Sequence, residues 1–382
     1  MKALHYAKKF SKTSETFIYE YIRGLEQEGV DNHVLTHHRV NEDSRPFPKV
    51  HTLKRPSRWH PRHVVNKVRS ALGIGGIGRS VWPQMREQFR PLIEGLSPDV
   101  IHAHFGPPGV LMGPVSQKTG VPLVVTFYGH DVSSLAQKAF WKERYNDLWE
   151  QADRVTVLSE KMSADVERMG CPSSKVKIVH LSRDLDQFPF RKPEGPVKNI
   201  LFVGRLTPKK APIDAVRAVQ IANENGADLT LKMVGDGPMY DEVETYVDEQ
   251  NLMGDVKMHG RLPNDEVAQH MQTADAFLLP SKTAPSGDKE GTPTVLVEAQ
   301  AVGLPCVTTR HSGIPEMIPK ENHDLLSPEG SVESLARCLN KLSGSTIKKL
   351  SERTVKGREK VEVDFNISVE VNKINRIYKS IG

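Results

Sequence analysis

Residues 198–235 read KNILFVGRLTPKKAPIDAVRAVQIANENGADLTLKMVG, and this run decides the fold class. Short β-branched stretches at 198–205 and 229–235 flank a helical stretch at 212–226. That is the pattern of parallel strands joined by a covering helix. The alternation continues through VKMHG (256–260), AFLLP (276–280) and PCVTT (305–309), with helical runs at 239–251 and 294–303. Toward the N-terminus, DVIHAHF (99–105), PLVVTFYG (122–129), RVTVLS (154–159) and KVKIVH (175–180) read as further buried strands, with helices at 15–29 and 160–170. The expectation is an α/β protein of two doubly wound Rossmann-like domains facing a cleft. Ligands in such sheets bind beyond the carboxyl ends of the strands.

At 382 residues the chain is long enough for two cores. The expected boundaries are an N-terminal domain at 1–183, a Pro-rich charged linker at 184–197 and a C-terminal domain at 198–358. A terminal helix at 359–382, with no strand after it, is expected to return to the first domain. The composition, 38% hydrophobic and 26% charged, is that of a soluble globular protein. No apolar run approaches the roughly 18–20 residues that span a bilayer, and the N-terminus lacks the apolar region of a signal peptide. Three cysteines without ligand-like spacing argue against a disulfide framework and for a reducing cytoplasm. Charge is divided unevenly: residues 1–193 hold 29 Lys+Arg against 20 Asp+Glu, and the remainder holds 23 against 27. The two halves are expected to meet different partners.

Chemistry concentrates at Glu290-Gly-Thr-Pro-Thr-Val-Leu-Val-Glu298. Pro293 suits the first position of a helix, Gly291 lets backbone approach a ligand, and the helix start favours a phosphate. A pyrophosphate flanked by two hydroxyl-seeking carboxylates describes a nucleotide sugar; the plainer reading is an amphipathic helix with a surface Glu at its start. Earlier in the same half, Gly204-Arg205 closes a strand and Lys209-Lys210 follows, which suits either a diphosphate or a solvated basic loop. Gly235-Asp236-Gly237-Pro238 closes the next strand as a turn that either admits a nucleotide or is purely structural.

In this order and spacing, the motifs Val203-Gly204-Arg205-Leu206 with Lys210, Gly235 to Pro238, Glu290 to Glu298, and His311-Ser312-Gly313-Ile314-Pro315-Glu316 resemble glycosyltransferase family 4, the retaining GT-B enzymes. His102-Ala103-His104-Phe105-Gly106 and Thr126-Phe127-Tyr128-Gly129-His130-Asp131 resemble the exopolysaccharide and colanic-acid branch. The resemblance runs from the Phe10–Phe17 segment to beyond Glu316. It implies a donor site of Gly204, Arg205, Lys210, Gly235, Gly237, Arg261, Glu290, Gly291, Thr292, Pro293, Thr294 and Glu298. Arg205 and Lys210 would bind the diphosphate, Glu290 the transferred sugar and Glu298 the ribose. On the acceptor side it implies Ser14, Glu15, Thr16, His104, Tyr128, Gly129, His130 and Asp131. Glu290, Lys210, Arg205 and His130 are the implied catalytic set, without cofactor or metal. This sequence departs from the family at Ala211, where Gly is usual, and at Tyr128, which takes a common His position. Asp324 stands where Gly is common, which reads as neutral.

Some motifs point elsewhere. Gly73-Ile-Gly75-Gly76-Ile-Gly78 matches a dinucleotide fingerprint, but it follows a basic helical run and not the required strand. Asp184-Leu-Asp186 has a metal-binding form yet lies in the linker, and His102/His104 show no evident third ligand. Residues 54–90 carry nine Lys/Arg, one acid (Glu87) and two interleaved tryptophans, Trp59 and Trp82. Such a segment fits a solvated insertion or a surface laid on an anionic leaflet; nucleic acid is not the expected partner. The expected function is transfer of a hexose, with retention, from a UDP- or GDP-linked sugar to a glycan or lipid-linked oligosaccharide in cell-surface polysaccharide synthesis. The expected location is the cytoplasm, or the inner face of the plasma membrane. A nucleotide-sugar epimerase of the same fold and a non-catalytic, membrane-associated nucleotide-sugar binder are the alternatives.

Overall fold

The computed structural model describes residues 1–12, 15–55, 61, 65 and 82–382. Ser14, the Gly73–Gly78 motif, Trp59 and most of the basic segment therefore lie outside the described residues. The chain divides into two compact units: Met1–Leu158 with Met162–Val179 and Val371–Gly382, and Ser159–Lys161 with His180–Glu370. The terminal return to the first unit thus starts at Val371, later than the expected 359. The expected linker is not a free connection. Leu185 is buried in the second unit's core, and the Arg191 N–H donates to the Val302 carbonyl.

The first unit is built on strands β1 (Lys2–Tyr6), β2 (Lys9–Phe10), β3 (Asp31–Thr36), β4 (His38–Arg39), β5 (Val50–Thr52), β6 (Val100–His104), β7 (Leu123–Thr126), β8 (Arg154–Val157) and β9 (Val176–Ile178). Seven of them form a parallel sheet in the order β5-β3-β1-β6-β7-β8-β9, and β2 pairs with β4 beside it. The second unit follows with β10 (Asn199–Val203), β11 (Thr230–Val234), β12 (Val256–Met258), β13 (Ala276–Leu279), β14 (Cys306–Thr309) and β15 (Leu326–Ser327), a parallel sheet ordered β12-β11-β10-β13-β14-β15. Both sheets are doubly wound. Strand order reverses between β1 and β6 in one and between β10 and β13 in the other, and those reversals are where such sheets bind ligands.

The second unit's β10 and β13 are largely apolar because helices cover both faces. Ile200, Leu201, Phe202, Phe277, Leu278 and Leu279 are fully buried, each contributing about 1.5–3 kcal/mol of apolar transfer. Covering helices include Pro212–Glu224, which opens on a proline at its first position, and Thr294–Val302, which buries Leu296, Val297, Ala299, Ala301 and Val302. Two helices, Ile347–Asp364 and Ile367–Lys379, end the chain where one was expected. No helix among the described residues is long and apolar enough to cross a membrane. All three cysteines are buried and free.

Ala211 explains one departure from the family pattern. It caps the helix Pro212–Glu224 at φ +50°, ψ +53°, a left-handed conformation that suits glycine. An L side chain there costs about 1–2 kcal/mol, partly offset by the lower unfolded-state entropy of alanine. Ala211→Gly is expected to raise unfolding stability by up to about 1 kcal/mol, read from the urea midpoint. A lower midpoint contradicts this.

Candidate functional site

In the second unit, the loops after β10 and β13 carry the candidate site at the point where strand order reverses. β10 delivers Gly204 and Arg205; the Arg205 side chain is exposed and has no ion-pair partner among the described residues. A short turn, Pro208–Lys210, then folds two cations back over the loop that follows β13. Lys210 Nζ lies 3.3 Å from Glu290 Oε2. Lys209 Nζ lies 3.8 Å from Glu290 Oε1 and 3.2 Å from Asp288 Oδ2. Glu290 is 7% exposed, and its Oε1 accepts no hydrogen bond from the described residues. Close by in sequence, the buried hydroxyls of Ser281 and Thr292 also have no hydrogen-bond partner among the described residues. Each such group costs about 1–3 kcal/mol when left unmade, so several along one loop mark a place shaped for a polar ligand.

The two glycines after β11 have a backbone reason. Gly235 sits at φ +143°, and a Cβ there would overlap the Gly204 carbonyl; one on Gly237 would overlap Leu206. The loops after β10 and β11 are stitched by Leu206 N–H to Asp236 O at 3.0 Å and Gly204 N–H to Val234 O at 3.0 Å. Their glycines permit that contact and so shape the Gly204–Arg205 turn. Arg261 is exposed on the loop after β12.

Two details of the Glu290–Glu298 motif differ from expectation. The helix begins at Thr294, so Pro293 is its cap (φ −71°, ψ 107°) and not its first residue. Gly291, Thr292 and Pro293 are buried ahead of it. Glu298 is 8% exposed and accepts from the Arg183 guanidinium, with Nε 2.6 Å from Oε1. That pair occupies the carboxylate which the family resemblance assigns to a ribose. Asp184 of the linker motif accepts from Asp186 N–H and Gln187 Nε2, closing a short turn on itself.

The first unit holds a chain of buried histidines behind its own reversal point. Asn32 Nδ2 donates to the Val30 and Ile22 carbonyls, which turns its Oδ1 toward His5 Nε2 at 3.0 Å. His5 therefore carries its proton on Nε2 and accepts on Nδ1, 3.1 Å from His104 Nε2. His104 in turn donates there and accepts on Nδ1 from the Tyr128 hydroxyl at 2.7 Å. His102 is held separately, by Tyr378 OH at 2.5 Å and Thr126 Oγ1 at 2.6 Å. All three rings are fully buried; burial brings the His5 pKa down to about 4 and holds those of His102 and His104 well below the usual range.

These contacts revise two acceptor-side expectations. His104 is 0% exposed, so it does not reach the surface itself and is bonded to Tyr128 and His5. Asp131 spends its carboxylate on the N–H groups of Gly106, Tyr128 and Gly129, at 2.9–3.0 Å, and so orders the loop from within. His130 is exposed, with Nδ1 in a hydrogen bond to Ser134 Oγ at 2.8 Å. Glu15 pairs with Lys12, and Thr16 opens the helix Thr16–Gln27. Phe105 adds a feature with no signature in the sequence: at φ +79°, ψ 152° it sits where side chains are strained, packed 4.6 Å from the Tyr128 ring. Strain of about 1–3 kcal/mol is typical of residues held for function. A third histidine, His5, does join His102 and His104, with ligand atoms within 4.8 Å of one another. Every ring nitrogen already has a hydrogen-bond partner, so the cluster is satisfied without an ion.

Within the basic segment, Trp82 and Arg86 are not surface groups. Trp82 is 7% exposed beside Trp141, and the Arg86 guanidinium donates to the Val110 and Leu111 carbonyls.

Comparison with known proteins agrees with this architecture. Residues 183–360 match the family Glycosyl transferases group 1, and residues 14–187 match Glycosyltransferase Family 4. The protein of Escherichia coli named as a colanic acid biosynthesis glycosyltransferase, WcaL, is 31% identical over 100% of this chain and 99% of its own. The chain is a family 4 glycosyltransferase. An amylovoran biosynthesis glycosyltransferase of Erwinia amylovora is 31% identical over 74% of this chain and 70% of its own. Among solved structures, Anabaena HepE in complex with UDP and glucose superposes with a TM-score of 0.76 over 100% of both chains, at 16% identity. The glycosyltransferase has the GT-B fold.

Sequence reasoning about this transferase quotes Lys209 only beside the chosen Lys210, and misses Asp288, Ser281 and the pairing of His311 with Glu329. The others lie just after β13, β14 and β15, which neighbour one another in the sheet.

Proposed function

We propose that this glycosyltransferase moves a hexose, with retention at the anomeric carbon, from a UDP- or GDP-linked sugar to a hydroxyl of a glycan or lipid-linked oligosaccharide in cell-surface polysaccharide synthesis. The observation that carries the reading is Glu290, buried between Lys209 and Lys210 where the second sheet reverses. A carboxylate there accepts sugar hydroxyls, while the adjacent cations meet the diphosphate. The names of the relatives, which specify colanic acid and amylovoran biosynthesis, support a polysaccharide product. The UDP and glucose bound to HepE support the donor class.

In the proposed reaction the bond from the anomeric carbon to the phosphate oxygen breaks, and a bond to the acceptor oxygen forms on the same face. The acceptor proton passes to the leaving diphosphate. Charge grows on that diphosphate, so stabilising it is the largest catalytic contribution. Arg205, Lys210 and the amides at the start of the helix Thr294–Val302 supply it. On the first unit, Tyr128 donates its proton inward to His104 and therefore offers a hydroxyl only lone pairs. Because side chains and amides supply the positive charge, turnover is expected to survive EDTA.

The test is a panel of UDP-, GDP- and dTDP-sugars incubated with and without a membrane extract, with released nucleoside diphosphate measured. Release that depends on acceptor is the expected result. An isomerised sugar formed from donor alone indicates an epimerase, and binding without turnover in the extract indicates a silent binder; either outcome overturns the proposal.

A further inference from the structure

We infer that His311 and Glu329 form a clamp that holds the donor loop at both ends and makes His311 the positioning residue for Glu290. The Glu290 N–H donates to His311 Nε2 at 3.1 Å. An N–H can meet only a lone pair, so Nε2 is unprotonated and the neutral ring carries its proton on Nδ1. That Nδ1–H donates to Glu329 Oε2 at 2.9 Å. The second Glu329 oxygen accepts from the Thr283 N–H. One carboxylate thus reaches residue 283 directly and residue 290 through the imidazole, spanning the loop that carries Asp288 and Glu290.

Three features show that the clamp acts on the loop and not on a ligand. His311 is 1% exposed, and both its nitrogens are engaged, so it has nothing left to offer a substrate. Burial pushes the Glu329 carboxyl up, but the bonds from His311 and Thr283 outweigh it and hold the group below its ordinary range, as an anion. Between the clamped ends the loop makes its own turn, with Ala284 N–H to Asp288 O at 2.9 Å and Gly287 N–H to Ala284 O at 2.8 Å. The loop is therefore internally folded and needs fixing only where it meets the sheet. Orienting a reacting partner to within a fraction of an ångström is where such fixing matters, since a displacement of about 1 Å can cost about a hundredfold in rate.

The inference rests on Glu290 contacting the transferred sugar, as proposed above, and its test separates the two. Three variants of the full chain divide the roles of the ring. His311→Gln places an oxygen near the Nε2 position and can still accept from Glu290; His311→Asn reaches only the Nδ1 position and can still donate to Glu329; His311→Ala does neither. Backbone amide exchange over 283–290 is measured for each, together with nucleoside diphosphate release and the affinity for UDP and GDP. In His311→Ala and His311→Asn, exchange at Glu290 is expected to rise about tenfold. Turnover is expected to fall about a hundredfold, with diphosphate affinity within about threefold of wild type. His311→Gln is expected to restore most of both. Wild-type exchange in His311→Ala overturns the clamp, as does equal damage in the Gln and Asn variants with diphosphate affinity lost. Glu290→Gln checks the underlying reading on its own: full turnover in that variant removes the sugar contact, while the exchange data still decide whether the clamp exists.

Discussion

Lys210→Ala is expected to reduce kcat/KM by about two to three orders of magnitude, the usual loss when one preorganised group facing the developing charge is removed. Its ammonium is the cation nearest Glu290, at 3.3 Å, and its side chain is only 13% exposed. Removing it also leaves Glu290 more dependent on Lys209, whose 3.8 Å approach is shared with Asp288. Part of the loss is therefore expected in donor affinity. Lys210→Arg is expected to recover only a fraction, because a planar fork does not reproduce a point charge in so confined a space. Steady-state rates on the preferred donor, with circular dichroism to show that the variant is folded, decide the matter. A folded Lys210→Ala enzyme with near-normal turnover contradicts the assignment.

The second large effect is acid instability of the first unit. The His5 ring titrates at about 4 in the folded protein, against 6.5 in an unfolded chain, and His102 and His104 are shifted in the same direction by burial. The unfolded chain then binds more protons, so stability rises with pH. These contributions are fully present above pH 6.5 and are lost as pH falls from there toward 4. For His5 alone the shift is worth about 3 kcal/mol. His102 and His104, shifted the same way by burial, make that fall steeper. All four tryptophans lie at 59, 82, 141 and 149, in the first half of the chain, so their fluorescence reports this unit. The urea midpoint followed by tryptophan emission is expected to drop sharply between pH 7.5 and pH 5.5. A midpoint that does not move contradicts the buried, neutral assignment of the histidine chain.

That same chain shows what the sequence conceals. β10, β11, β13 and β14 are legible because apolar or β-branched residues dominate them, and the structure trims the expected runs by one to three residues each. β1 and β3 were not legible. His5 and Asn32 interrupt their apolar runs, yet both are fully buried because they satisfy one another. Such a pairing between residues 27 apart leaves no periodic trace. The donor side follows the same division. Glu290 and Lys210 stand out as charges in Gly-rich turns, and the structure brings them together. His311 was visible within its own motif, but its role depends on β14 lying beside β13, which is a fact of strand order and not of spacing. On the acceptor side, Tyr128 is tied to the buried histidines, and His130 is exposed beside Ser134.

The central claim is that the loops after β10 and β13 bind a nucleoside diphosphate sugar. The most direct measurement is calorimetric titration of UDP, GDP and dTDP into the wild-type protein and into the double variant Arg205→Ala/Lys210→Ala. One diphosphate is expected to bind the wild type, and to bind the folded variant at least about thirtyfold more weakly, since two charge-assisted contacts are removed. Equal affinity in both proteins, or no binding of any diphosphate to the wild type, contradicts the account.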